Sequence, residues 1–109
     1  MTFTGSLTKL KNKTIAIDLD GTICTEERTF DRPLARPLAG AVEALRTLKA
    51  NGNTIIVYTA RGWEQYRVTK DWLEKNNIAF DQILMGKPIA DLWIDDRARR
   101  FISWDSLDV

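Results

Sequence analysis

The stretch KTIAIDLDGT, residues 13–22, decides the interpretation of this chain. It begins as a strand of β-forming apolar residues and ends in two carboxylates, Asp18 and Asp20, with one residue between them. Two aspartates at the end of a buried strand repel each other and resist desolvation. Their placement therefore predicts a compensating group nearby, and with it a functional site.

Length and composition limit the kind of protein this is. With 109 residues, 44% of them hydrophobic, the chain predicts one globular domain over residues 1–109. The net charge of +1, from 16 basic and 15 acidic residues, argues against nucleic acid and against an anionic membrane as a partner. No apolar stretch is long enough to span a bilayer, and the first residues do not resemble a signal peptide.

Cysteine and histidine usage narrows the chemistry. The chain has no histidine, which excludes histidine bases, histidine metal ligands and nucleophiles activated by histidine. Cys24 is the single cysteine, so no internal disulfide can form. That usage fits a reducing compartment, and we expect the protein to be cytoplasmic.

Strand and helix patterns alternate along the chain and predict an α/β fold. We expect a Rossmann-like parallel sheet of about four to five strands flanked by helices. The four strand segments are residues 14–20, 54–59, 81–86 and 90–96; the two helices begin at Pro37 and Trp63. The first strand is expected to be buried on both faces. Trp72, Leu73 and Trp93 are expected in the core, and the tail after residue 96 is expected to form a short helix with Phe101 and Trp104 turned inward.

Polar side chains follow every predicted strand at its carboxyl end, where ligands bind in open parallel sheets. These residues are Asp18 and Asp20, then Thr59 and Arg61, then Lys87, and finally Asp95 and Asp96. Any one of them is explained equally well as a turn former. Their joint placement at one edge of the sheet predicts a site.

The residue types at this edge suit a phosphate and a divalent cation. Four converging carboxylates need a hard cation, and Mg²⁺ prefers oxygen ligands and keeps substrate phosphate oxygens in its shell. Lys87 can pair with a phosphate and hold a nucleophilic aspartate ionised, and Thr59 can donate its hydroxyl. Gly21 would let backbone amides approach the same anion. The chemistry suggested is hydrolysis of a phosphate ester through an aspartyl-phosphate.

These residues carry a family resemblance. DLDGT, residues 18–22, resembles the first motif of the haloacid dehalogenase (HAD) superfamily of phosphatases. Thr59 in VYTAR resembles the second motif, Lys87 in MGKP the third, and Asp95 and Asp96 in WIDD the fourth. The motifs stand in the family's order and cover residues 15–96.

The resemblance implies a role for each motif residue. Asp18 would be the nucleophile, and Asp20 would protonate the leaving oxygen and then activate water. Thr59 and Lys87 would hold the phosphoryl group. Mg²⁺ would be bound by the Asp18 carboxylate, the Asp20 backbone carbonyl and the acidic pair, with Asp96 as the direct ligand and Asp95 acting through water.

The short spacing between motifs leaves no room for the cap domain that family members usually insert. A capless site suits a bulky substrate or borrows a neighbouring copy of the chain as its lid. The set is most similar to small phosphatases of capsule and surface-polysaccharide biosynthesis, which implies a sugar phosphate or a related small molecule as substrate. IDDR also resembles the phosphatase half of polynucleotide kinase–phosphatases. This second resemblance implies a polynucleotide 3′-phosphate as the alternative substrate.

Two other classes remain as alternatives. A phosphoacceptor signalling domain uses similar residues, but with the acidic pair first and a lone aspartate later. A catalytically silent module would keep the fold without turnover. Specificity is expected from a flap, residues 25–36, and from the turn at residues 61–66. In that turn Arg61 is expected to reach the phosphate or leaving group, and Trp63 to form a substrate-facing wall or to fold back on the second helix.

Overall fold

The computed structural model describes residues 6–109. Three strands form its sheet, β1 (Thr14–Asp18), β2 (Thr54–Tyr58) and β3 (Gln82–Leu84). Three α-helices accompany them, α1 (Ser6–Lys9), α2 (Ala41–Ala50) and α3 (Tyr66–Lys75). Two 3₁₀ segments, Thr29–Leu34 and Trp63–Gln65, lie in the connections.

The sheet is parallel, with the order β1-β2-β3. The α/β class and the first three strands are confirmed. The predicted count of four to five strands is wrong for the described residues, because residues 90–96 form no strand and are exposed. β1 is consequently an edge strand, and its expected burial on both faces is also wrong: Ile17 is buried while Thr14 and Ala16 are exposed.

The two longer helices bury residues at helical spacing in the core. α2 contributes Ala41, Ala44, Leu45 and Leu48 to the core, and α3 contributes Thr69, Trp72 and Leu73. The first of these helices was expected from Pro37 but begins at Ala41, because Gly40 before it has a φ of 84°. Gly52, two residues after the end of α2, has a φ of 83°, in the left-handed region that commonly ends a helix.

The tryptophans divide between core and surface. Trp72 is buried, as expected, and donates from Nε1 to the carbonyl of Ala35 at 2.8 Å. Trp93 was expected in the core but is 50% exposed. Trp104 is buried and donates to the carbonyl of Thr22 at 2.9 Å. The tail forms no helix, but it does turn Trp104 inward, onto the loop that follows β1.

The flap, residues 25–36, is closed at its base. The Thr25 amide donates to the Arg36 carbonyl at 2.8 Å, and the Arg36 amide donates to Thr25 Oγ1 at 3.0 Å. Between these ends the 3₁₀ segment exposes Phe30 and Leu34. The flap is therefore a loop with a fixed base and an exposed tip. None of the helices in residues 6–109 is both long and apolar enough to cross a membrane.

Candidate active site

Asp18 and Lys87 meet at the carboxyl edge of the sheet. Asp18 is the last residue of β1, and Lys87 lies three residues after β3. Lys87 Nζ lies 3.6 Å from Asp18 Oδ1, and the Asp18 side chain is 38% exposed. The ammonium also lies 5.6 Å from the ring centre of Tyr58 and 5.5 Å from that of Trp93, within the range of cation–π attraction. Asp18 thus has a cationic neighbour and remains open to solvent.

Asp20 is held by Arg61. Arg61 Nε donates to Asp20 Oδ2 at 2.9 Å, and Nη2 donates to Oδ1 at 2.7 Å. Such bidentate charge-assisted pairs fix both distance and orientation. Arg61 is only 3% exposed, whereas the Asp20 side chain keeps 20% of its surface open. Arg61 therefore does not reach into the open site as expected: its guanidinium is engaged inside the protein.

The loops after β2 and β3 are joined through their backbones. The Lys87 amide donates to the Thr59 carbonyl at 2.8 Å, and the Gly86 amide donates to the Arg61 carbonyl at 2.9 Å. Thr59 is buried, and its Oγ1 accepts the Arg61 amide at 3.2 Å. The structure thus brings Thr59, Arg61 and Lys87 together. The Thr59 hydroxyl keeps its proton available for a bond to a phosphate oxygen.

Gly21 turns the chain directly after Asp20. Its φ of 85° is one that residues with a Cβ rarely adopt. Its amide donates to the Cys24 carbonyl at 2.8 Å, and the Thr22 and Ile23 amides donate to the Leu19 carbonyl. In this structure Gly21 shapes the loop, and its own amide is engaged within that loop. Its contact with an anion stays a prediction.

Cys24 is buried beside Asp20, and its thiol donates to Asp20 Oδ1 at 3.7 Å. Burial and, after it, the negative charge of Asp20 raise the pKa of the Cys24 thiol to about 12, with Asp18 adding to the effect. At neutral pH Cys24 is a protonated thiol, so it is not a candidate nucleophile.

The acidic pair follows the exposed segment that carries Trp93. Asp95 and Asp96 are exposed, and Asp95 Oδ1 accepts the Arg97 amide at 2.6 Å. Within residues 6–109 no three acidic or cysteine side chains are grouped so that they could hold a metal ion. Asp18 is partly open and Asp95 and Asp96 are exposed, so they offer oxygen ligands of the kind Mg²⁺ takes, while Lys87 and Arg61 lie beside Asp18 and Asp20. Magnesium binding by Asp18, Asp20, Asp95 and Asp96 stays a prediction.

Trp63 lies at the same edge and is 61% exposed. Its ring stacks on Tyr66 at a centroid distance of 6.0 Å, so it does contact the first turn of α3. A Cβ added at Gly86 would lie 3.9 Å from Trp63 Nε1, which places the indole beside the loop that carries Lys87. Trp63 therefore contacts the helix and leaves most of its surface open, and its role as a substrate-facing wall stays a prediction.

Truncation of Trp63 to alanine is expected to raise KM for the natural substrate and to leave hydrolysis of a small aryl phosphate nearly unchanged. The melting temperature should stay within a few degrees, since truncation of a surface side chain usually costs about 0.5 kcal/mol or less. Ile102→Ala, at another exposed apolar side chain, is the control for general surface effects. A large fall in melting temperature would show that Trp63 packs in the core, and it would contradict its proposed role as a substrate-facing wall.

Tyr58 and Thr69 belong to this site and were missed by sequence reasoning. Tyr58 contacts the Lys87 ammonium, and the Thr69 hydroxyl accepts Arg61 Nη1 at 3.0 Å. The signal that could have found Thr69 is its polarity at a core position, since a buried hydroxyl needs a partner.

Comparisons with known proteins show relatives among solved structures. No family model matches the chain, and no curated protein does. The crystal structure of an MCSG target from Vibrio cholerae is 31% identical, with a TM-score of 0.69 over 81% of this chain and 83% of that one. Its description names no activity.

Chains from two further structures share the fold at lower identity. One is from the Pnkp1/Rnl/Hen1 complex, at 21% identity and a TM-score of 0.62. The other is from the Pnkp1/Rnl/Hen1 RNA repair complex, at 24% identity and a TM-score of 0.60. This chain spans only 31% and 28% of their respective lengths. At these identities the likeness concerns the fold.

Proposed function

We propose that this chain, which belongs to one family with the Vibrio cholerae protein, is a HAD-like phosphomonoester hydrolase that uses Asp18 as its nucleophile. One observation carries the proposal: Asp18 ends β1 with its carboxylate partly open to solvent and 3.6 Å from the Lys87 ammonium. The ammonium favours the ionised nucleophile and attracts a phosphate to the same place. The ordered motifs from DLDGT to WIDD support the same interpretation.

The reaction has two steps. An Asp18 oxygen forms a bond to phosphorus as the bond from phosphorus to the ester oxygen breaks, and the leaving oxygen takes a proton from Asp20. Water then attacks phosphorus, gives a proton back to Asp20, and releases inorganic phosphate and the free Asp18 carboxylate. Asp20 Oδ1 also accepts the Cys24 thiol at 3.7 Å, whereas Oδ2 has a second lone-pair direction beyond its bond to Arg61 Nε, so Oδ2 has room for this proton.

Magnesium is the cofactor proposed for this activity, on the strength of the motifs. When bound it would neutralise charge on the phosphoryl oxygens. Turnover of an aryl phosphate should appear with added Mg²⁺ and vanish with a chelator. Asp96→Asn should weaken Mg²⁺ binding more than Asp95→Asn does, and so should raise the Mg²⁺ concentration needed for half-maximal activity further. Full activity in metal-free buffer would contradict the metal proposal and leave the proposed role of Asp18 standing. No turnover with or without Mg²⁺ would favour a catalytically silent binding module.

The substrate class is tested by a panel. The open edge and the exposed Trp63 favour a sugar phosphate or a related metabolite of surface-polysaccharide biosynthesis. The alternative is a polynucleotide 3′-phosphate, and the shared fold with a chain of an RNA repair complex is the reason to test it. Sugar phosphates, nucleotides and 3′-phosphorylated oligonucleotides should be compared by kcat/KM. A strong preference for the oligonucleotides would replace the sugar phosphate in this proposal.

A further inference from the structure

We infer that Arg61 is a positioning residue that acts through Asp20, and that it does not bind the substrate. The inference rests on the proposed function, because it gives Asp20 the proton-transfer role. The guanidinium contacts both carboxylate oxygens of Asp20, at 2.9 and 2.7 Å, and is itself buried. A planar donor that spans both oxygens fixes the rotation of the carboxylate as well as its position.

Arg61 is fixed in turn by α3. Its Nη1 donates to Thr69 Oγ1 at 3.0 Å, and Thr69 is fully buried on the inner face of that helix. All three guanidinium nitrogens therefore have partners inside the protein. A side chain with this many hydrogen bonds has little freedom to reorient toward a ligand, so its positive charge pairs with Asp20.

The backbone of Arg61 extends this connection to the other side of the site. Its carbonyl accepts the Gly86 amide at 2.9 Å, and its amide donates to Thr59 Oγ1 at 3.2 Å. Asp20 follows β1, Arg61 follows β2 and Gly86 follows β3. Arg61 thus connects the three loops that carry the proposed proton-transfer, phosphate-binding and charge-balancing residues.

The geometry also separates Arg61 from Lys87. Both are cations at the edge of the sheet, but the Lys87 side chain is 23% exposed and its ammonium lies 3.6 Å from Asp18, whereas the Arg61 side chain is 2% exposed. Lys87 is placed to meet a phosphate and Arg61 is not. Loss of Arg61 should therefore lower kcat and leave KM nearly unchanged.

A double-mutant cycle tests the inference. Arg61→Gln is measured alone and in the Asp20→Asn background, with an alkyl phosphate as substrate, whose leaving oxygen needs a proton, and melting temperature as the check on folding. Alone, Arg61→Gln should lower kcat by about tenfold or more, with KM changed by less than about twofold. In the Asp20→Asn background the same substitution should cost less than about twofold, because residues acting as one unit are not additive.

The way the loss of activity depends on the leaving group distinguishes a positioning role from a packing role, because a packing defect would affect all substrates alike. The loss caused by Arg61→Gln should be larger for a poor leaving group, which needs a proton, than for a nitrophenolate, which does not. Arg67→Gln is the matched control, since Arg67 is exposed on α3. If Arg61→Gln fails to fold, Arg61→Lys replaces it, because lysine keeps the charge but cannot span both oxygens.

The outcomes are distinct. Equal losses from Arg61→Gln in the two backgrounds, or full kcat in Arg61→Lys, would overturn the inference and leave the proposed function standing. A rise in KM with unchanged kcat would assign Arg61 to substrate binding and also overturn it. A wild-type chain without phosphatase activity would overturn both proposals, since Asp20 would then have no proton to transfer.

Discussion

Asp18→Asn is expected to abolish turnover, with a loss of about 10⁴-fold or more, the order seen when a covalent nucleophile is removed. The amide that replaces the carboxylate is a poor nucleophile and cannot form an aspartyl-phosphate. Intact-mass analysis of acid-quenched reactions should show a phosphoryl adduct on the wild-type chain and none on the variant. The substitution is nearly isosteric at a partly exposed position, so the melting temperature should change little.

Asp71→Asn is the matched control for this experiment, since Asp71 is exposed on α3, outside the residues assigned to the site. It should retain full activity and form the same adduct as the wild-type chain. More than trace activity in Asp18→Asn would rule out aspartyl-phosphate chemistry here. An adduct that persists in the variant would move the nucleophile to another residue.

The next largest effect is expected from Lys87→Ala. Losing a hydrogen bond to a charged partner typically costs about 1.5–3 kcal/mol, against about 0.5–1.5 kcal/mol for a neutral one. Lys87→Ala should therefore lower kcat/KM by roughly 10- to 150-fold, and Thr59→Ala by less. The alanine also leaves Asp18 without the cation that lies 3.6 Å away.

Lys87→Arg is the control, because it keeps the positive charge while changing the shape of the donor. It should recover part of the activity that Lys87→Ala loses. The reverse order of losses, with Thr59→Ala worse than Lys87→Ala, would mean that Thr59 anchors the phosphoryl group. The structure offers a reason to look for that outcome, since Thr59 Oγ1 also accepts the Arg61 amide and so shapes its own loop.

The sequence predicted which residues lie together at the edge of the sheet but not which of them form ion pairs. Hydrophobic periodicity and turn residues placed Asp18, Asp20, Arg61 and Lys87 at strand ends, and a parallel sheet brings such ends to one edge. The pairing of Asp20 with Arg61, 41 residues apart, depends on which side chain turns inward. No local pattern encodes that choice. Arg61 was accordingly expected to face the substrate, as an arginine beside a phosphate site often does.

Repulsion between the two carboxylates predicted a compensating group nearby, and in the structure each aspartate has a cation of the chain beside it: Lys87 for Asp18 and Arg61 for Asp20. The Mg²⁺ ion expected from the four acids stays a prediction. Sequence reasoning counted Asp95 and Asp96 among the converging acids because LWIDD has the composition of a buried strand. Composition does not decide whether such a segment pairs, and here it stays outside the sheet, with Trp93 against the Lys87 ammonium.

The closed base of the flap has a consequence for how this protein can change over evolution. Because Thr25 and Arg36 bond each other at the base, and Ala35 is tied to Trp72, the chain leaves and re-enters the fold at fixed points. Lengthening such a loop costs little, since the closure entropy grows only slowly with length. Residues 26–30 are thus a place where insertions should be tolerated, in evolution or in engineering. Such insertions could change the substrate that is accepted and leave the residues that carry the reaction unchanged.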